Sequence, residues 1–209
     1  MPRRIDTEAR TAQIAEAALR ILERDGLARL SVRGVAAETG IAPASLRRIF
    51  PTQQALREYC LELIEERATA RIASLDLAGR ELAEAVLEQL LPLDDERRLE
   101  IVAQMQLGVL ALTDHSLRPA AQCLSDGVDR ACRAVIAVLV DSGHCDPRRD
   151  ATYEADRMRA LLDGIALHGL WRGDPEAPTN ALTTLTRHLD ELAFPPPAPG
   201  SPPPAPAPR

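Results

Sequence analysis

Arg47 and Arg48 stand side by side behind Ala44 and Ser45, in a stretch that opens with Pro43. A guanidinium can take guanine O6 and N7, or a phosphate, in two-pronged fashion, so an exposed run of this kind suits a nucleic acid. Further back, Ser31 and Arg33 offer a hydroxyl and another guanidinium; just beyond, Thr52 and Gln53 offer a hydroxyl and an amide. Ser31 and Thr52 are also good helix N-caps, and capping is compatible with phosphate contact. Most surface arginine is merely solvated, and Arg33 and Arg47 keep that reading beside the functional one. Arg3 and Arg4 read equally as a frayed end or as an arm that follows phosphates.

Catalysis would need a nucleophile–base pair, paired carboxylates in a pocket, a metal cluster or a phosphate-cradling loop. The sequence holds no GxSxG, HExxH or P-loop, and its four cysteines (Cys60, Cys123, Cys132, Cys145) form no CxxC pair. Glu65-Glu66 and Asp94-Asp95-Glu96 read as helix-surface and helix-start charges. His144-Cys145 lies in a Gly-containing loop without a second pair at ligand spacing. The expectation is therefore no enzyme, no metal and no cofactor, with an all-α enzyme as the remotest alternative. Reduced thiols fit a cytoplasmic protein. No apolar run approaches the roughly 18 residues of a membrane helix, and no signal-type apolar stretch follows Met1.

Helices must position these residues. Ile14, Ala17, Ala18, Ile21 and Leu22 fall on one face of a first helix, about 7–24, which Asp25-Gly26 closes. A short second helix, about 32–39, starts after Ser31, and Thr39-Gly40-Ile41 turns the chain. A third helix, 43–49, begins at Pro43 and is stopped by Phe50-Pro51. Helix, glycine turn, helix behind a supporting helix is the layout of a helix-turn-helix. A core of Ile14, Leu22, Val35, Ile41, Leu46 and Phe50 would fix the third helix with its opposite face free for a major groove. A long fourth helix, about 53–74, follows Thr52, and five more are expected near 79–91, 95–112, 117–142, 148–172 and 178–193. The fold class expected is all-α: an N-terminal three-helix helix-turn-helix domain (1–52), a larger helical domain (53–194), and a disordered Pro/Ala-rich tail (195–209) holding nine of the 17 prolines.

Charge follows the same division. The net charge of −6 separates into +4 over residues 1–57, with 10 Arg against 6 acids, and −10 over residues 58–209, with 15 Arg against 25 acids. A basic first quarter on an acidic body implies two jobs, one of them at a polyanion.

The run Leu30-Ser31-Val32-Arg33-Gly34-Val35-Ala36-Ala37-Glu38-Thr39-Gly40-Ile41-Ala42-Pro43-Ala44-Ser45-Leu46-Arg47-Arg48-Ile49-Phe50-Pro51 resembles the DNA-binding segment of the TetR family of transcriptional regulators, over about 10–56. The resemblance implies an all-helical homodimer that pairs a DNA-binding with a ligand-sensing domain and leaves its operator when an effector binds. The expected function is a sequence-specific DNA-binding transcriptional regulator, a repressor released from a pseudo-palindromic double-stranded DNA operator by a small molecule. A ligand-binding or interaction protein with weakened DNA binding is the alternative. Arg47, Ile49 and Gln53 stand where the family often has Tyr, His and Lys. Ile49 is therefore assigned to the local core, and Arg at the Tyr position leans toward betaine-type regulators. Ala42 replaces a frequent Ser or Thr cap, at a cost of about 1 kcal/mol.

A ligand pocket is expected between helices of the body. Met105, Leu107, His115, Cys123, His168 and Trp171 are its candidates, with Gln104 and Gln106 as amides in an otherwise apolar helix. Glycines inside the Asp163-Gly164-Ile165-Ala166-Leu167-His168-Gly169 run cost about 1 kcal/mol each, which argues for close approach of a backbone or ligand. The resemblance places the eighth and ninth helices in a four-helix dimer interface burying Leu162, Ile165, Leu185, Leu189 and Leu192; an intrachain crossing at the glycines is the other reading. With 2% aromatic residues, an aromatic cage for a quaternary-ammonium ligand is not expected.

Overall fold

In the computed structural model, residues 2–172 and 175–194 are described, with side chains for 10–171 and 175–194. The side chains of Arg3 and Arg4 and the tail 195–209 lie outside the described residues. The chain order is α1 (Pro2–Asp25), α2 (Val32–Thr39), α3 (Pro43–Ile49), α4 (Gln53–Ala73), α5 (Gly79–Glu88), α6 (Asp95–Thr113), a 3₁₀ turn (His115–Leu117), α7 (Arg118–Asp141), α8 (Ala151–Arg172) and α9 (Ala177–Leu192). No strand occurs among the described residues, and no helix among them is long and apolar enough to cross a membrane.

Local chemistry sets these bounds. Gly26 at φ 79 and Gly40 at φ 69 take the left-handed conformation that ends α1 and α2. The Ser31 hydroxyl accepts from Gly34 N at 3.1 Å, and the Thr52 hydroxyl from Ala55 N at 3.0 Å. Asp94 caps α6 through Arg97 N. Sequence reading began α8 near residue 148. The helix begins later because the Asp146 carboxylate holds Arg148 in a turn, and Asp150 then accepts from Thr152 N and Tyr153 N as the cap.

Two apolar clusters organise the interior. One joins α1 to α4 with the second half of α6, through Leu22, Leu27, Leu30, Leu46, Leu56, Leu107 and Leu117. The other joins α5, α7, α8 and α9, through Leu87, Ile136, Leu139, Met158, Leu185 and Leu189. So α6 leaves its own end of the body and enters the helix-turn-helix core.

Two expectations change here. Ile49, assigned to the local core, is 52% exposed. Helix α3 ends at Ile49, and the extended Phe50 (φ −118, ψ 86) carries its own ring into that core, 5.1 Å from the Tyr59 ring. Leu162, Leu185, Leu189 and Leu192, read as dimer-interface residues, are at most 2% exposed and belong to the chain's own core. Side chains that the resemblance assigns to a second copy are thus covered by the chain's own core. Ile165 is half-buried at the edge of a groove between α8 and α9.

Candidate functional site

Pro43, Ala44, Arg47 and Arg48 are exposed on α3 and Ser45 is half-buried, while Leu46 anchors the opposite face. Arg33 is exposed on α2. Arg20 and Arg24 are neutralised: both reach Glu38, and Arg24 also holds Asp25 at 2.9 Å. Arg33, Arg47 and Arg48 form no hydrogen bond or ion pair with any described residue. Free cations of this unit thus include Arg33 on α2 and Arg47 and Arg48 on α3, with Arg10 on α1 and Arg29 in the α1–α2 connection also unpaired among the described residues. The α3 N-terminus has no side-chain cap at Ala42; Pro43 has no N–H and Ser45 N and Leu46 N donate to Ala42 O, so the Ala44 N–H alone stays open in the first turn.

Gln53 and Thr52 do local work. Thr52 caps α4, and the Gln53 amide donates to Leu30 O at 2.8 Å and to Ala28 O at 3.4 Å. Arg57, one turn on, donates to Leu27 O and Ala28 O, both at 3.2 Å. From α6, Gln106 Oε1 accepts from Leu27 N at 2.6 Å. The connection between α1 and α2 is therefore held by α4 through its carbonyls and by α6 through an N–H. Sequence reasoning missed Arg57 and the bond of Gln106, because their partners are backbone atoms 30 and 79 residues away.

Two cavities flank α6 in the body. One, about 330 Å³, lies among α4, α6 and α7; the other, about 320 Å³, lies among α6, α7 and α8. Leu90, Ile101, Gln104 and Val128 belong to both walls, so the cavities adjoin as two lobes of a chamber divided by these side chains. The Gln104 amide makes no hydrogen bond with a described residue, and neither does the Glu65 carboxylate in the first lobe. Glu100, 8% exposed, is held by both arms of Arg71 at 2.8 and 2.6 Å. In the second lobe Arg159 is tied to Asp129 and Asp163. The chamber is thus mostly apolar, with a free amide at its waist and, in the first lobe, one carboxylate (Glu65) and one guanidinium (Arg130) that make no ion pair with a described residue.

The expected ligand residues do not converge on it. Met105 and Leu107 line the second lobe. His115, in the 3₁₀ turn, and Cys123 are exposed and belong to neither lobe. His168 lies in the α8–α9 groove, and Trp171 is 73% exposed with its ring 6.5 Å from that of His168. Gln104 was legible only as one of two amides in an apolar run; the sequence does not say which finds a partner. Burial pushes the Cys60 thiol up to about 12 and Cys132 up to about 11, so both stay protonated. No group of three or more potential metal ligands occurs among the described residues.

Both parts of the chain match known families. Residues 14–60 match the family described as bacterial regulatory proteins, tetR family, and residues 79–193 the BetI-type transcriptional repressor C-terminal domain. The HTH-type transcriptional regulator PksA of Bacillus subtilis (strain 168) is 32% identical over 173 residues, which is 81% of this chain and 83% of PksA. The multidrug binding protein EbrR, solved with imidazole, is 31% identical at a TM-score of 0.60, covering 95% of this chain and 96% of EbrR. A TetR transcription regulator of Haloarcula marismortui ATCC 43049, 21% identical, shares the fold at a TM-score of 0.76 over 88% of this chain and 98% of its own.

Proposed function

The chain belongs to the TetR family of transcriptional regulators, and from that premise we propose that it is a homodimeric repressor released from a pseudo-palindromic operator by a small molecule. The observation that carries the DNA half is the set of exposed, unpaired arginines on the helix-turn-helix itself, Arg33 on α2 and Arg47 and Arg48 on α3. Arg47 and Arg48 read the major groove with Ala44 and Ser45 beside them, while Arg33 and the N-termini behind Ser31 and Pro43 take phosphates. Thr52 and Gln53 act indirectly, by holding α4 and the α1–α2 connection. Residues 1–52 form the reader and 53–194 the sensor.

The effector occupies the two-lobed chamber. Its form supports an elongated, largely apolar molecule with a hydrogen-bonding group at the middle, where the Gln104 amide is unpartnered. EbrR, a relative at 28–31% identity, has been solved with imidazole and with ethidium, which supports a sensor of organic molecules. The effector acts only so far as it prefers the subunit spacing that does not fit DNA; equal affinity for both forms would shift nothing.

Dimerisation uses the outer face of α8 and α9. Gly164 lies on that face, and a Cβ there would meet nothing within 4 Å; a Cβ on Gly169 would make only ordinary contacts, at 3.9 Å or more. An intrachain crossing therefore does not account for the glycines, and a second copy against the groove supplies the missing close approach.

The test is binding to DNA flanking the chain's own gene across a salt series. A specific complex that weakens steeply with salt is expected, because Lys/Arg contacts release counterions. Arg47→Ala with Arg48→Ala should abolish it while the dimer persists. Unchanged operator affinity in the double variant rejects the recognition helix, and no preference over random duplex at any salt rejects operator binding there.

A further inference from the structure

Past the chamber, α6 meets the α1–α2 connection and the end of α8 around a third cavity of about 640 Å³. Val109, Leu112 and Trp171 on its walls are 66%, 74% and 73% exposed. Single exposed apolar side chains need no explanation, but several gathered around one concavity mark a binding site. Gly108 lies between them in mid-helix, where glycine costs about 1 kcal/mol against alanine. A Cβ on Gly108 would meet nothing within 4 Å, so packing within the chain does not demand the glycine.

The polar chemistry of the cleft comes from Gln106. Its Oε1 is taken by Leu27 N, but its Nε2 donates to no described residue. The charged group on the rim, Asp25, is already held by Arg24 at 2.9 Å. The cleft thus presents an indole, aliphatic walls, one free amide donor and no unpaired charge.

We propose that this junction cleft, which adjoins the chamber's second lobe across Met105, Gly108 and Leu167, is a second small-molecule site for a flat uncharged aromatic ligand carrying a carbonyl or ring-nitrogen acceptor. The ring lies against Trp171, between Val109 and Leu112, and its acceptor takes the Gln106 Nε2–H. A cationic or anionic ring finds no free counter-charge there and is disfavoured. Bound beside an intact Gln106–Leu27 bond, the ligand bears directly on the segment that aims α2. Only that consequence for DNA rests on the regulator reading above; the binding does not.

Trp171 is the single tryptophan and lines the cleft, so its emission reports ligand binding there when the protein concentration is held constant and the dimer does not change. The full chain is titrated with acridone, which is flat, neutral and carries a carbonyl, and in parallel with ethidium and anilinonaphthalene sulfonate. Saturable quenching by acridone is expected, at an affinity at least tenfold above that of either charged dye. Leu112→Ser and Val109→Ser, at exposed positions that line the cleft but neither lobe of the chamber, should each weaken acridone binding about tenfold with the thermal midpoint retained. Gln104→Ala, which alters the chamber, should leave the quenching unchanged. Absence of saturable quenching overturns the site, as does quenching that Gln104→Ala abolishes and Leu112→Ser spares. A Trp171 emission that shifts with protein concentration alone marks a second copy over the cleft and equally overturns it.

Discussion

Gly26 and Gln106 are matched to each other. Gly26 holds φ 79, and a Cβ built on it would lie 3.0 Å from both the oxygen and the nitrogen of the Gln106 amide. Gly26→Ala should cost about 1–2 kcal/mol from the left-handed backbone alone, read as a lower urea midpoint, with Gln106 pushed off Leu27 N. The opposite change is available at Ala42, where the uncapped start of α3 invites a hydroxyl. Ala42→Ser should gain about 1 kcal/mol, and Ser31→Ala should lose about as much; thermal melts of the two variants check the pair. His188 supplies a pH dependence. It is 5% exposed, its Nε2 has no partner, and burial holds its imidazole below the ordinary value. Arg157 and Arg149 push in the same direction, while Glu154 and Glu191 oppose them. A depressed native pKa means that the unfolded chain takes the proton first. The stabilising effect is whole above about pH 6.5, the unfolded value, and is lost as pH falls through the lower native value. Urea midpoints at pH 7.5 and 5.5 should separate more for the wild type than for His188→Leu.

At the scale of elements, α8 and α9 are clasped at one end by a buried ion pair. Arg149 and Glu154, with side chains 5% and 4% exposed, meet at 2.6 Å. Arg149 also donates to Glu191 O and Phe194 O, both at 2.8 Å, serving carbonyls that the end of α9 leaves without helical partners. Glu154→Ala strands a buried cation and should cost about 3–5 kcal/mol; Glu154→Leu together with Arg149→Met should cost much less. Denaturant unfolding of the two variants measures the difference. Helices of this kind were largely legible in advance, because Gly26, Gly40, Pro51 and the caps Ser31 and Thr52 act through neighbouring backbone. Which surface covers a helix was not legible. Leu162 and Leu185 repeat at helical spacing whether they face their own core or a second copy, and the sequence carries the same period in both cases. Ile49 failed for a related reason: one residue past the end of α3, the Phe50 ring takes the inward position. In the ligand half, Gln104 and Gln106 are indistinguishable in sequence; their different fates depend on a backbone N–H far along the chain.

The whole molecule separates charge by task. The +4 of the first 57 residues is trimmed where Glu38 and Asp25 hold Arg20 and Arg24, leaving Arg33 on α2 and Arg47 and Arg48 on α3 unpaired, with Arg10 and Arg29 outside those two helices. Arg33→Ala should weaken all DNA sequences alike and lower the salt slope by about 1, the signature of one lost phosphate contact. Gly164→Leu addresses the other end of the molecule. Its side chain enters open space within one chain, so folding should persist while sedimentation shows a weaker dimer. The grip on the α1–α2 connection also bears on how such proteins could be recombined. Gln53, Arg57 and Gln106 all hold backbone atoms of residues 27–30, never their side chains. The polar fitting is therefore indifferent to the side chains at positions 28 and 29, provided that the link keeps its length, Gly26 and the buried Leu27 and Leu30. A reading head from a relative, spliced through a link of the same length, would arrive already connected to this sensor, so that new operators could be acquired without relearning the response.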